Sequence, residues 1–230
     1  MQCSTNLAQA LLSLPLFLGS GACSDSASTS QPQAATYSAG AEQPEASGPL
    51  VLFLGDSLSA GLHLREDQAF PAVLQRKSIA EGHPFRLINA GVSGDTTAGG
   101  LGRLDWSLKA EPDLVVLELG ANDGLRGIKL SSIEANLLKL VEQIQASGAE
   151  VLLLGMRMPP NYGPAYTSGF EALYEKVAEE RGVALVPFFL KGVGGVPKMN
   201  LPDGIHPTTE GHGVIADTLA PQLWALLDEL

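Results

Sequence analysis

Five short, mostly apolar runs constrain this chain more than any other feature: Leu50–Leu54, Phe85–Ala90, Asp113–Leu119, Val151–Leu154 and Val183–Val186. They lack the regular polar alternation of a half-exposed strand. Each is expected as a strand buried on both faces, as in a parallel sheet covered by helices. Helical periods lie between them. Leu101, Leu104 and Leu108 are spaced by three and four, and Phe170, Leu173, Tyr174 and Val177 repeat that spacing. Ser131 and Glu134 form a capping-box pattern ahead of Ile133, Leu137, Leu140, Val141 and Ile144. A final helix is expected through Val214, Ile215, Leu219, Leu223 and Leu226, bent at Pro221. Strand and helix alternating five times predict an α/β three-layer domain with right-handed crossovers. No internal repeat is visible.

The residues before the first run have a different character. Residues 24–48 contain no Leu, Ile, Val, Met, Phe or Trp. A segment with so little to bury is expected to stay unfolded as a tether. Ahead of it, Leu7 to Leu18 is apolar but broken by Pro15. That run is too short to span a bilayer as a helix, but it suits the core of an export signal. Ser20, Gly21, Ala22 and Cys23 follow, small residues that fit a cleavage site and resemble a bacterial lipobox. The expected organisation is a signal peptide of the lipoprotein type at 1–22, a tether at 23–48 starting with a lipidated Cys23, and a domain at 49–230. The expected location is the periplasm, with anchorage to a bacterial membrane. Ser20 stands where a lipobox usually has Leu, and no Lys or Arg precedes Arg65. The domain has no cysteine, so its stability must come from packing.

Three acidic residues fall before position 49, which leaves the domain 14 basic and 22 acidic residues, a net charge of −8. Such a surface argues against nucleic-acid binding, which depends on neutralising phosphates, and against broad adsorption to anionic membranes.

In open α/β sheets ligands bind beyond the carboxyl ends of the strands. The segments to inspect are therefore Gly55-Asp56-Ser57-Leu58, Gly91-Val92-Ser93-Gly94-Asp95, Gly120-Ala121-Asn122-Asp123 and Asp203-Gly204-Ile205-His206. Together they meet the needs of acyl transfer. A serine hydroxyl becomes a nucleophile when a base takes its proton, and the base is commonly a histidine oriented by a carboxylate. Ser57 sits in the turn after the first run. Asp203 and His206 are three residues apart, so the acid can hold one ring nitrogen while the other faces Ser57. The Gly94 amide, the Asn122 side chain and the Ser57 amide are the candidate oxyanion donors.

Plainer readings exist for each residue alone. Ser57 could cap a helix, Gly94 could serve a turn, Asn122 and Asp123 could cap, and Asp203-Gly204 is a common turn dipeptide. Chance accounts poorly for their joint placement at strand ends. Asp56 is expected to order its loop by hydrogen bonds, and Asp95 and Thr96 to cap the next helix. His63 is read as a cleft-wall residue, His83 and His212 as surface or packing residues. Ser93 lacks the complete Gly-x-Ser-x-Gly elbow. No metal-binding spacing, P-loop or dinucleotide fingerprint is present. An acyl groove is expected from Leu58, Leu62, Leu125, Ile128 and Tyr162, with residues 156–166 as a mobile lid.

Gly-Asp-Ser-Leu at 55–58, Gly94, Gly-Ala-Asn-Asp at 120–123 and Asp-Gly-Ile-His at 203–206 resemble, in order, the four signature blocks of the SGNH (GDSL) hydrolases. Longer matches, Leu-Gly-Asp-Ser-Leu-Ser-Ala-Gly (54–61), Asn-Asp-Gly-Leu-Arg-Gly (122–127) and Pro-Asn-Tyr-Gly (160–163), are similar to the bacterial thioesterase I, arylesterase and lysophospholipase subgroup. The resemblance implies a flavodoxin-like sheet of five parallel strands. It also implies Ser57 as nucleophile, His206 as base, Asp203 as orienting acid and an oxyanion hole at Gly94 and Asn122. The implied chemistry is cofactor-free hydrolysis of aryl esters, lysophospholipids and acyl thioesters by a monomer. Ala121 stands where the subgroup often has a second Gly. Because acyl-CoA is polyanionic and cytosolic, neutral or zwitterionic esters suit an acidic, exported domain better. The alternatives are a carbohydrate O-acetylesterase on the same fold and a non-catalytic tethered binding module.

Overall fold

The computed structural model describes residues 47–230. The expected signal peptide, the lipidation of Cys23 and nearly all of the tether lie outside the described residues.

Strands β1 (Leu50–Gly55), β2 (Arg86–Gly91), β3 (Leu114–Glu118), β4 (Glu150–Leu154) and β5 (Ala184–Val186) form one sheet. All pairings are parallel, in the order β2-β1-β3-β4-β5, which is the flavodoxin-like order. The five apolar runs are these strands. β1 and β3 are buried along their whole length because both have neighbours on each side and helices on each face. β2 has one exposed residue and five half-buried ones, so burial on both faces fails there, because β2 is an edge strand.

The helices are α1 (Ser57–Ala60), α2 (Phe70–Glu81), α3 (Thr97–Ser107), α4 (Ala121–Leu125), α5 (Leu130–Ala146), α6 (Pro164–Arg181) and α7 (Thr209–Leu227). α2 packs on α7, while α3, α5 and α6 pack side by side. α5 buries Ile133, Leu137, Leu140, Val141 and Ile144, as its spacing predicts. The expected capping box does not form: α5 already begins at Leu130, Lys129 precedes it without a side-chain cap, and Glu134 pairs with Lys176 instead. α7 starts five residues earlier than its apolar period, because Thr208 caps it by accepting from the Gly211 amide. It runs through Pro221. α2 has no counterpart among the expected helices. Its buried face is only Phe70, Pro71, Leu74 and Ser78, too sparse to stand out as a period.

One hydrogen bond and one close backbone approach bring β2 against the turn after β1. Asn89 donates to the Ser59 carbonyl at 2.8 Å and accepts from the Gly91 amide at 3.0 Å. A Cβ at position 91 would lie 2.4 Å from the Ala60 nitrogen, so this approach requires glycine.

Candidate active site

The turn from β1 into α1 builds the site from its first residue. Asp56 caps α1, its Oδ1 accepting from the Leu58 amide at 2.9 Å. Glu118, at the end of β3, accepts through Oε2 from the Asp56 amide (3.1 Å), the Ser59 amide (3.3 Å) and the Ser59 hydroxyl (2.8 Å). The Ala60 amide goes to the Asp56 carbonyl. Among the described residues the Ser57 amide has no acceptor, and Ser57 is 8% exposed.

The opposite wall comes from the loop ahead of α7. Asp203 Oδ1 accepts from the Ile205 and His206 amides, both at 3.0 Å. Asp203 Oδ2 lies 2.7 Å from His206 Nδ1, and His206 Nε2 lies 2.9 Å from Ser57 Oγ. The backbone and side-chain hydrogen bonds from His206, then the Ile205 amide, pull the Asp203 carboxyl down to about 2, so it is ionised at neutral pH. A carboxylate on Nδ1 fixes the tautomer that leaves Nε2 free to accept a proton. The loop is anchored by the buried Asn200, which donates to the Val193 and Val196 carbonyls at 2.7 and 2.9 Å.

Two further loops complete the cleft. Gly94 has φ +81°, a backbone state that favours glycine, and its amide has no acceptor among the described residues. Its carbonyl accepts from Arg126 at 2.9 Å. Asn122, in the first turn of α4, donates to Asp56 Oδ2 at 2.9 Å. Asp123 accepts from the amide and hydroxyl of Thr97, at 2.9 and 2.7 Å, which ties the third loop to the start of α3. Of the residues expected to cap α3, Thr96 does so, accepting from the Gly99 amide at 3.1 Å. Asp95 instead binds the Thr96 amide and Arg103.

Ser57, Gly94, Asn122 and His206 all line one cleft of about 520 Å³. Leu58, Leu62 and Leu125 line it too, as expected. Ile128 and Tyr162 do not. The Tyr162 hydroxyl donates to the Leu125 carbonyl at 2.9 Å, and the Tyr166 hydroxyl donates to the Ile128 carbonyl at 2.7 Å. The two tyrosines pin the 125–128 segment from outside, so this part of the expected lid is tied down. Met156, Met158, Pro159 and Pro160 of that stretch do face the cleft. Phe188 and Leu190 add apolar wall that no sequence signal marked, because residues 187–200 follow no strand or helix period, and Ile205 adds more from the marked 203–206 segment. Ser93 is exposed and does not line the cleft. His63 is exposed and packs edge-on against His206, with ring centroids 6.2 Å apart, rather than forming the cleft wall. Glu118 was also missed, although a glutamate inside the Leu114–Leu119 run is a detectable anomaly.

Fold and site define the class: a flavodoxin-like parallel-sheet protein with a hydrogen-bonded Ser–His–Asp series at the strand ends. Residues 53–214 match the GDSL-like Lipase/Acylhydrolase family, and the chain belongs to that family. It is 47% identical over 184 residues to Esterase TesA of Pseudomonas aeruginosa, covering 80% of this chain and 92% of that protein. It is 41% identical over 184 residues to Thioesterase 1/protease 1/lysophospholipase L1 of Escherichia coli K12, covering 80% and 87%. A solved structure of the psychrotrophic esterase EstA from Pseudoalteromonas sp., inhibited by monoethylphosphonate, superposes with a TM-score of 0.75 at 36% identity, covering 78% of this chain and 99% of that one.

Proposed function

We propose that the chain is a serine esterase acting on carboxylic acyl esters, aryl esters and lysophospholipids among them, through an acyl-enzyme. The observation that carries this reading is the continuous series Ser57 Oγ, His206 Nε2, His206 Nδ1, Asp203 Oδ2, at 2.9 and 2.7 Å. His206 Nε2 takes the Ser57 proton as Oγ attacks the acyl carbon. The carbonyl electrons move onto oxygen, where the Ser57 and Gly94 amides and the second Asn122 N–H stabilise them. Collapse expels the alkoxide, which leaves with the proton from His206 Nε2. Water, deprotonated by the same nitrogen, then attacks the acyl-enzyme and releases the carboxylic acid and Ser57. Asp203 stays ionised throughout and holds the imidazolium.

The names of the relatives, esterase, arylesterase and thioesterase/lysophospholipase, support this substrate range, thioesters included. The apolar Leu58, Leu62, Leu125 and Phe188 suit an acyl chain. Ser57→Ala is expected to abolish both hydrolysis and labelling by a fluorophosphonate probe, and undiminished labelling would remove Ser57 from its role.

Export to the periplasm, a lipid on Cys23, division of the chain at 22 and 48, and action as a monomer belong to the same proposal. They rest on the order of apolar run, small residues, Cys23 and polar tether. The mass of the mature N-terminus tests the first three, and sedimentation tests the last.

A further inference from the structure

Two carboxyl groups lie side by side beneath Ser57, Asp56 at 1% exposure and Glu118 at 2%, and the reaction as written uses neither. Burying carboxyl groups is costly unless their hydrogen bonds are made, and these bonds have a pattern. Glu118 Oε2 takes the Asp56 and Ser59 amides, and Asp56 Oδ1 takes the Leu58 amide. With Ala60 bonded to the Asp56 carbonyl, the Ser57 amide is the one left over in the turn. The second oxygen of Asp56 reaches across the cleft floor to Asn122. An ionised carboxylate only accepts, so it compels the Asn122 amide to present nitrogen rather than oxygen. With one N–H held at 2.9 Å, the amide plane is fixed, and so is the direction of the other N–H.

We propose that Asp56 is a positioning residue of the oxyanion site, aiming Asn122 with one oxygen and the Ser57 turn with the other, on a floor supplied by Glu118. This rests on the serine-esterase reading above. The charge state agrees with it. Burial pushes Asp56 up to about 6, against the pull of the Leu58 amide and Asn122, so it is still ionised at neutral pH. Burial first, then the charge of Asp56, pushes Glu118 well above the carboxylate range, so it is the neutral member. Among the described residues the one outside charge that reaches the pair is His206, acting on Asp56, and the pair in turn helps burial to push Tyr174 up, together with Asp123.

A helix cap that served stability alone would act independently of Asn122, so a double-mutant cycle separates the two roles. Asp56→Asn, Asn122→Ala and the double variant are made in the full chain. The kcat, KM and Tm of each are measured with p-nitrophenyl butyrate, beside Ser57→Ala. Asp56→Asn is expected to lower kcat at least tenfold, approaching the roughly 100-fold typical of a lost oxyanion donor, with KM within about threefold. The double variant is expected to lie within about twofold of Asn122→Ala. Losses that multiply, with Ser57→Ala inactive, would overturn the positioning role alone. A normal Asn122→Ala beside an inactive Ser57→Ala would also overturn the positioning role alone, whereas an active Ser57→Ala would overturn the esterase assignment and this role together. Glu118→Gln keeps an acceptor oxygen in the floor and serves if Asp56→Asn fails to fold. Because the neutral Glu118 carboxyl holds Asp56 down by a hydrogen bond that an amide N–H makes more weakly, the acid-side inflection in kcat of this variant is expected at higher pH than the wild type, and an unmoved inflection would count against the pair.

Discussion

His212 shows how far one residue's meaning depends on its surroundings. It lies only six positions from His206, yet it is buried at 1% exposure, its Nδ1 accepts from the Phe70 amide at 3.1 Å, and its ring stacks on Phe70. Burial, then the charge of His206, presses it down to about 4. Its neutral form is the folded one, while the unfolded chain protonates near pH 6.5. Stability from this group is therefore complete above pH 6.5 and is lost as pH falls toward 4. Asp56 acts in the opposite sense over about pH 6 to 4, because its raised value lets the folded state hold a proton first. The comparison must therefore be between variants. Between pH 7 and 5, wild type should lose about 2 kcal/mol more unfolding free energy in urea than His212→Asn. Equal losses would show that His212 protonates alike in both states. At this scale Ser57, His206 and Asp203 stood out in the sequence as candidates because few residue types suit acyl transfer, and the fold brings them into one hydrogen-bonded series. Glu118 did not stand out, since its partners are the amides of a turn about 60 residues away in sequence.

Among elements, the junction of β1, β2 and α3 is the telling one. Arg103, on α3, donates through Nε to Asp95 (2.7 Å), through Nη1 to the Ala90 carbonyl (2.7 Å) and through Nη2 to the Gly55 carbonyl (2.9 Å). One guanidinium thus ties the carboxyl ends of the two strands that lead to Ser57 and Gly94. Arg103→Met is expected to cost roughly 2–3 kcal/mol in urea unfolding, since it removes charged hydrogen bonds from half-buried acceptors. Arg103→Lys should recover only part of that, because a point charge cannot reproduce the planar fork. A Met variant as stable as wild type would mean that the strand ends hold themselves. Strand pattern was readable here, because central strands are apolar on both faces. The edge character of β2 and the existence of α2 were not, because both depend on which neighbours are present.

For the whole molecule, the cleft opens beside β1 and β3, where strand order reverses, the position where α/β sheets of this order bind ligands. Its apolar lining makes a prediction about substrates. Across p-nitrophenyl esters, kcat/KM is expected to rise from acetate to medium chains, as added methylenes leave water for Leu58, Leu62, Leu125 and Phe188 at about 0.8 kcal/mol each when fully buried. Activity confined to acetate would favour the O-acetylesterase reading instead. Ile128 and Tyr162 belonged to the expected groove by sequence proximity alone, and the fold turns them outward to brace the loop.

Residue order alone made the layers and the candidate site readable. Continuous apolar runs have few ways to be buried, and a serine, an imidazole and a carboxylate at strand ends have few chemical uses. Tertiary structure alone decided which amides stay unbonded, which carboxyl is neutral and which apolar side chains face the cleft. Those properties arise where segments 60 to 150 residues apart meet at hydrogen-bonding distance, and local residue order carries no record of such meetings.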